Sequence, residues 1–175
     1  MHTLRKDWGK IGGRTLAVLA TTVLVTAAAA AEGRDVMALM PKRTKHRKVH
    51  RGRLRGFATR GHRVEFGEYG LQALDAAWLT GRQIEAGRVA ANRATGGTAK
   101  MWIRVFPHKP ISGKPAEVRM GKGKGEVDFW AAEVKPGTII YEMGGVTEDK
   151  AKLAFKRVAH KMPIKVKMVR RLPTT

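Results

Sequence analysis

The sequence predicts an α+β domain: a mixed or antiparallel sheet with two main helices packed on it, a basic N-terminal arm and a long Gly/Lys loop. Three observations predict it. Short segments alternate apolar and polar residues at 100–106, 127–134 and 164–169, as strands do. Two stretches between them carry helix caps and apolar residues at helical spacing. The chain has 175 residues, 43% of them hydrophobic, enough for one core but too short for two ordinary domains.

The elements follow in order. Val64–Phe66 is a short strand candidate before a Gly67/Gly70 turn. Thr80-Gly-Arg-Gln83 has the form of a capping box and opens a helix to about Ala94. Ile84, Gly87, Ala91 and Ala94 form its small-residue stripe; Arg82, Arg88 and Arg93 fall away from it. Gly81 and Gly87 weaken that helix by roughly 1 kcal/mol each relative to Ala. In Lys100–Phe106, Met101, Ile103 and Val105 share one face, and Trp102, Arg104 and Phe106 the other. Pro107, Pro110 and Pro115 predict a long exposed loop over 107–126. Val127–Val134 and Thr138–Met143 are strands, and the Lys135-Pro-Gly137 turn predicts that they form an antiparallel hairpin. Thr147 caps a second helix with Leu153, Val158 and Met162 on its apolar side, and Pro163 stops it. A last strand follows from Ile164.

Charge is the outlier. Lys and Arg number 35 against 14 Asp and Glu, a net +21. Such self-repulsion opposes compaction and is relieved by a polyanionic partner. Cysteine is absent, which excludes disulfides, zinc ribbons and thiol nucleophiles. Residues 1–36 hold five of the basic residues and three of the acidic ones, so 37–175 keeps a net charge of +19. The basic N-terminus and apolar run Leu16–Ala31 have the layout of a signal peptide or a short anchor. A mis-set translation start, with Met37 or Met40 as the true one, agrees better with the chain that follows. Residues 37–63 form the arm, and 64–175 the globular domain. Within 41–64 stand ten Lys/Arg and no acid. Lys42, Arg43, Lys45, His46, Arg47, Lys48, Arg51, Arg53 and Arg55 are the candidate RNA-binding residues there. An arm neutralising about eight phosphates implies a log–log salt slope of binding near −6 to −7.

The second candidate site is the loop. Lys114, Arg119, Met120, Gly121, Lys122, Gly123, Lys124 and Gly125 set exposed backbone N–H groups beside ammonium groups, with no bulk to hold phosphates away. A nucleotide P-loop is excluded, since Lys122 has no Ser or Thr after it and the spacing is wrong. Arg119 offers a planar fork that stacks on a base or bridges phosphates. Glu126 and Asp128 read as ion partners of the lysine-rich loop. One aromatic among Trp102, Phe106, Phe129 and Trp130 can stack on a base, and the sequence does not say which. No acid, base and nucleophile assemble into a catalytic set, and His46 and His50 sit among cations that repel a metal. The expectation is a non-enzyme with no metal, no cofactor, no small-molecule substrate and no membrane partner.

Several motifs together resemble one family. They are Met40-Pro-Lys-Arg-Thr-Lys-His-Arg-Lys48, Gly81-Arg-Gln-Ile-Glu-Ala86, Trp102-Ile-Arg-Val-Phe-Pro107, Lys109-Pro-Ile111, Lys114-Pro115, Val118-Arg-Met-Gly-Lys-Gly-Lys-Gly125, Pro136-Gly137, Tyr141-Glu-Met143 and Lys161-Met-Pro-Ile-Lys165. Over about 37–172 the chain is similar to the bacterial form of the universal large-subunit ribosomal protein L sixteen family. The resemblance implies a structural protein that binds large-subunit rRNA near the base of the central protuberance. It implies neighbouring ribosomal proteins as partners, a place beside the aminoacyl-site tRNA, and a part in late subunit assembly. The loop matching 113–125 would point to the acceptor arms of bound tRNA, the peptidyl-site tRNA among them. The arginine matching Arg119 is in some bacteria a target of hydroxylation. Departures are Gly81 for the common Ala, His108 for an acid, and Gly144-Gly145 for Asp-Gly. The charge alone would also allow a non-ribosomal, nucleoid-type protein.

Overall fold

The computed structural model describes residues 39–172. Segment 1–36, and with it the reading of a mis-set start, lies outside the described residues. Seven strands and two helices follow one another there: β1 (Tyr69–Ala73), β2 (Ala77–Thr80), α1 (Gly81–Thr95), β3 (Lys100–Ile103), β4 (Lys109–Ser112), β5 (Val127–Val134), β6 (Ile139–Gly144), α2 (Glu148–Ala159) and β7 (Val166–Arg170). They make the expected α+β fold. The sheet is not single, however. A four-stranded sheet has the order β3-β6-β1-β7, and a three-stranded one the order β2-β5-β4. Every pairing is antiparallel.

One core joins them. Leu71, Ala73, Tyr141 and Met143 line the inner face of the larger sheet. They pack on Ile84 and Ala91 of α1 and on Ala151, Ala154, Phe155 and Val158 of α2. The smaller sheet adds Leu79, Ala132 and Val134. Thr80 makes both halves of the capping box: its Oγ1 accepts from Gln83 N at 3.3 Å, and its own N–H donates to Gln83 Oε1 at 3.0 Å. Gly96 ends α1 with a φ of 63°. Gly87 is no defect in this helix. A Cβ there would stand 2.4 Å from the Tyr141 hydroxyl. The absent side chain lets Tyr141 reach in and donate to the Ile84 carbonyl at 2.6 Å. Burial pushes that phenol well above its ordinary pKa, with Glu85 adding to the shift.

Four expectations differ from the structure, and one strand has no signal in the sequence. Val64–Phe66 is not a strand; it crosses the outer face of the larger sheet, and the strand is Tyr69–Ala73. β2 was not predicted, since Ala77–Thr80 has no alternation of its own and gains its form by pairing with β5. The long loop begins at 113, not 107: Pro107 is fully buried, and 109–112 is β4. As an edge strand, β4 tolerates Pro110, which has no N–H to give. β5 and β6 do not form a hairpin. Both neighbours of β5 are β2 and β4, and the Lys135–Thr138 turn carries the chain to the other sheet. There Gly137 N donates to Ala73 O at 2.8 Å. Finally, Leu153 is 47% exposed, and the buried side of α2 is Ala151, Ala154, Phe155 and Val158.

Candidate nucleic-acid interface

The arm has no helix or strand over 41–63 and lies mostly exposed. Its cations repel one another, so polar contacts to the domain decide its course. Lys48 Nζ donates to the Lys124 carbonyl at 3.1 Å and stands 3.4 Å from Glu126 Oε1. Lys124 returns the contact, donating to the Val49 carbonyl at 2.7 Å. Lys109 Nζ donates to the Arg51 carbonyl at 2.8 Å. The same ammonium pairs with Glu133 and lies 4.4 Å from the centroid of the Trp78 ring. Farther along, Ala58 N donates to Pro136 O at 2.9 Å, and Ile139 N to Gly61 O at 2.8 Å. Arm and loop are thereby brought together along the β4–β5 edge of the smaller sheet.

The predicted arm residues divide by role. Lys48 is engaged inside the protein. Lys42, Arg43, Lys45, His46, Arg47, Arg51, Arg53 and Arg55 are exposed. Among the described residues no carboxylate pairs with any of those eight.

The loop is the tip of the β4–β5 hairpin. Its base is pinched: Gly113 N donates to Glu126 O at 3.1 Å, and a Cβ on Gly125 would stand 2.1 Å from the Gly113 carbonyl oxygen. Only glycine lets the two limbs approach so closely. At the tip Gly121, Lys122 and Gly123 all have positive φ, 99°, 51° and 91°. Lys114 Nζ donates to the Gly121 carbonyl at 2.5 Å and braces the turn. Arg119 is exposed and, among the described residues, has no side-chain partner. Met120 beside it is 98% exposed. The acids fall otherwise than expected. Glu126 pairs with the arm's Lys48 instead of the loop lysines, of which Lys114 and Lys124 donate to backbone carbonyls.

A third cationic feature was missed by the sequence reading. On the outer face of the larger sheet Phe66, 57% exposed, stacks on Trp102 at 6.3 Å between centroids. Arg104 lies over Phe66 at 4.7 Å, and Lys100 Nζ stands 5.2 Å from the Trp102 centroid. Glu142, fully buried, holds the assembly. Its Oε2 accepts from the backbone N–H groups of Glu65 (3.2 Å), Phe66 (2.6 Å) and Gly67 (2.9 Å). Its Oε1 accepts from Arg104 at 2.5 Å. The alternation of β3 does place Trp102 and Arg104 on one face. Nothing local marks Phe66 as their partner.

The family described as Ribosomal protein L16p/L10e matches residues 41–169, a span that holds the arm, the loop and both sheets. The chain belongs to that family. It is 61% identical over 135 residues to a protein named large ribosomal subunit protein uL16 from Rhodopirellula baltica, covering 77% of this chain and 98% of that one. A protein of the same name from Heliobacterium modesticaldum is 57% identical over 133 residues, covering 76% and 92%. The bacterial type implied by the motifs is supported by both. The L16p/L10e family is one of structural ribosomal components and not of enzymes. Among the described residues no helix is long and apolar enough to cross a membrane.

Proposed function

We propose that this chain is a structural component of the large ribosomal subunit, held to rRNA by its arm and the adjoining edge of the smaller sheet. The observation that supports this best is the joining of arm and loop through Lys48, Lys124 and Lys109, which leaves the other arm cations unpaired and outward. Seven Lys and Arg between 42 and 55 are free of internal ion pairs. Seven phosphate contacts imply a salt slope of about −5 to −6, using coefficients of about 0.7 to 0.9 per phosphate. This is shallower than the whole arm's count gives, because Lys48 is spent on Glu126 and Lys124. Specificity then comes from RNA shape, unpaired bases and 2′-hydroxyls. Neighbouring ribosomal proteins are its other partners, and its location is that of the ribosome.

The loop has a separate role in this proposal. Its pinched base and braced tip hold Arg119 and Met120 out in the open, for tRNA at the aminoacyl site, with the peptidyl-site tRNA as a second contact. The test has two readouts. Replacing residues 42–47 by Ala and Ser should abolish incorporation into large subunits and flatten the salt slope. Arg119→Ala should leave incorporation intact and slow elongation in reconstituted translation. Equal affinity for duplex DNA and for structured rRNA would instead support a nucleoid-type protein.

A further inference from the structure

Segment 62–65 crosses the outer face of the larger sheet and leaves a cavity beside it of about 670 Å³. Its lining comes from three parts of the chain: the end of the arm, Gln72 of β1, and residues 169–172 at the end of β7. The floor is apolar. Val64 and Val169 form it, and Val64 packs down onto Gly70, where a Cβ would lie 2.6 Å from Val64 Cγ2 and 3.4 Å from Val169 Cγ2. The rim is cationic, with Arg63, Arg170 and Arg171. Arg170 is paired with Glu148, and the one lining acid, Glu65, is paired with Arg104. Arg63 and Arg171 are exposed and have no carboxylate partner among the described residues. The Gln72 amide nitrogen donates to the Gly137 carbonyl at 2.9 Å, which leaves its oxygen as an acceptor and a second N–H as a donor.

We infer that this cavity takes one unpaired nucleotide of the rRNA, extruded from its stack. The inference rests on the functional reading above and adds a second RNA contact on the sheet opposite the helices. An apolar floor suits the face of a base, and a guanidinium plane stacks on it. Two unpaired arginines supply fork-shaped donors for the flanking phosphates. An acceptor at the wall suits an exocyclic amino group. The volume lies in the range of ligand pockets and holds a nucleotide with its phosphate. An acidic peptide would meet the cations but leave the apolar floor unfilled.

The test uses the full-length chain in large subunits. Ultraviolet cross-linking followed by mass spectrometry should find a nucleotide adduct on 62–64 or 169–172, besides adducts on the arm. Val169→Phe fills the cavity and changes no charge. It should erase that adduct and weaken rRNA binding about tenfold, as losing one stacked base does, while leaving the salt slope unchanged. Arg63→Ala with Arg171→Ala should lower the slope by about 1.4 to 1.8. The wild-type cross-link needs no variant to fold. Adducts confined to residues 41–60 would overturn the cavity assignment and leave the ribosomal reading standing. No rRNA affinity at all would overturn both. An adduct formed with free uridine monophosphate but not with rRNA would overturn it in favour of a small-molecule site. Cross-links only to an acidic neighbouring protein would overturn it too.

Discussion

Replacing Glu142 by Gln tests how the outer face of the larger sheet is held. The carboxylate is fully buried and accepts four hydrogen bonds, three from successive backbone N–H groups and one from Arg104. A glutamine can keep its oxygen toward residues 65–67, but its NH₂ group then faces the Arg104 guanidinium, donor against donor. The reverse orientation sets NH₂ against three N–H groups and is worse. Arg104, 15% exposed, would keep the Phe66 ring and, as its one carboxylate among the described residues, Glu65, a partner 58% exposed. Losing a charge-assisted bond costs about 1.5–3 kcal/mol, and stranding a part-buried cation adds about 1 kcal/mol or more. The expected loss is therefore about 3 kcal/mol, or a Tm lower by about 10 °C for a domain of this size. Thermal unfolding followed by circular dichroism measures it, and hydrogen exchange at residues 65–67 locates it. Adding Arg104→Met should recover part of the loss, because the stranded charge is then gone. A Tm change under about 3 °C, or strict additivity of the two substitutions, would refute the reasoning.

Gly87→Ala should destabilise by about 2 kcal/mol despite its better helix propensity, because the new Cβ collides with the buried Tyr141 hydroxyl and disturbs its bond to Ile84. Chemical denaturation checks it, and a gain in stability would contradict it. Hydrogen bonds from Arg170 first, and Lys152 next, hold the Glu148 carboxyl down to about 2. A depressed carboxylate contributes stability that is present above its ordinary value of 4.5 and is lost as pH falls toward 2. Glu148→Gln should flatten that acid limb, and high salt should shrink the difference, since these groups are exposed. Intact-mass analysis of the protein in purified large subunits should find a chain beginning at or just after Met37; attachment of 1–36 would overturn that reading of the start.

Much of the fold was legible because its signals are local. Thr80 and Gln83 form the predicted capping box, and Val127–Val134 is β5 residue for residue. The alternation of 101–105 sorted core from surface correctly. The failures share one cause: they depend on partners distant in sequence. Lys135-Pro-Gly137 is a turn, as read, but a turn does not say whether the strands it joins pair. The answer lies in Ala73, which binds Gly137 and Thr138 and draws β6 into the other sheet. Pro110 suggested a loop because nothing local marks β4 as an edge. Leu153 looked like core by hydropathy, whereas the close approach of α1 and α2 selects the small Ala151 and Ala154. Of the candidate site, composition located the arm and the loop, yet not Lys109, which ties Arg51 to β4, nor Phe66, which completes the outer face.

Splitting the strands between two sheets has a consequence for function. The smaller sheet has no helix packed along its β4 edge, and that edge is where the arm and the loop base meet. The larger sheet is covered by helices on one face and crossed by 61–67 on the other. The arm therefore spans both sheets. Near Lys48 the arm is held by ion pairing with Glu126 and by bonds to the loop, whereas the segment that continues it, 65–67, is held by a buried carboxylate. The first anchorage is exposed and weakened by salt; the second is buried and is not. Raising salt should therefore loosen the arm's front before its root. Glu142 meanwhile keeps residues 65–67 fixed on the larger sheet, whatever the salt does near Lys48.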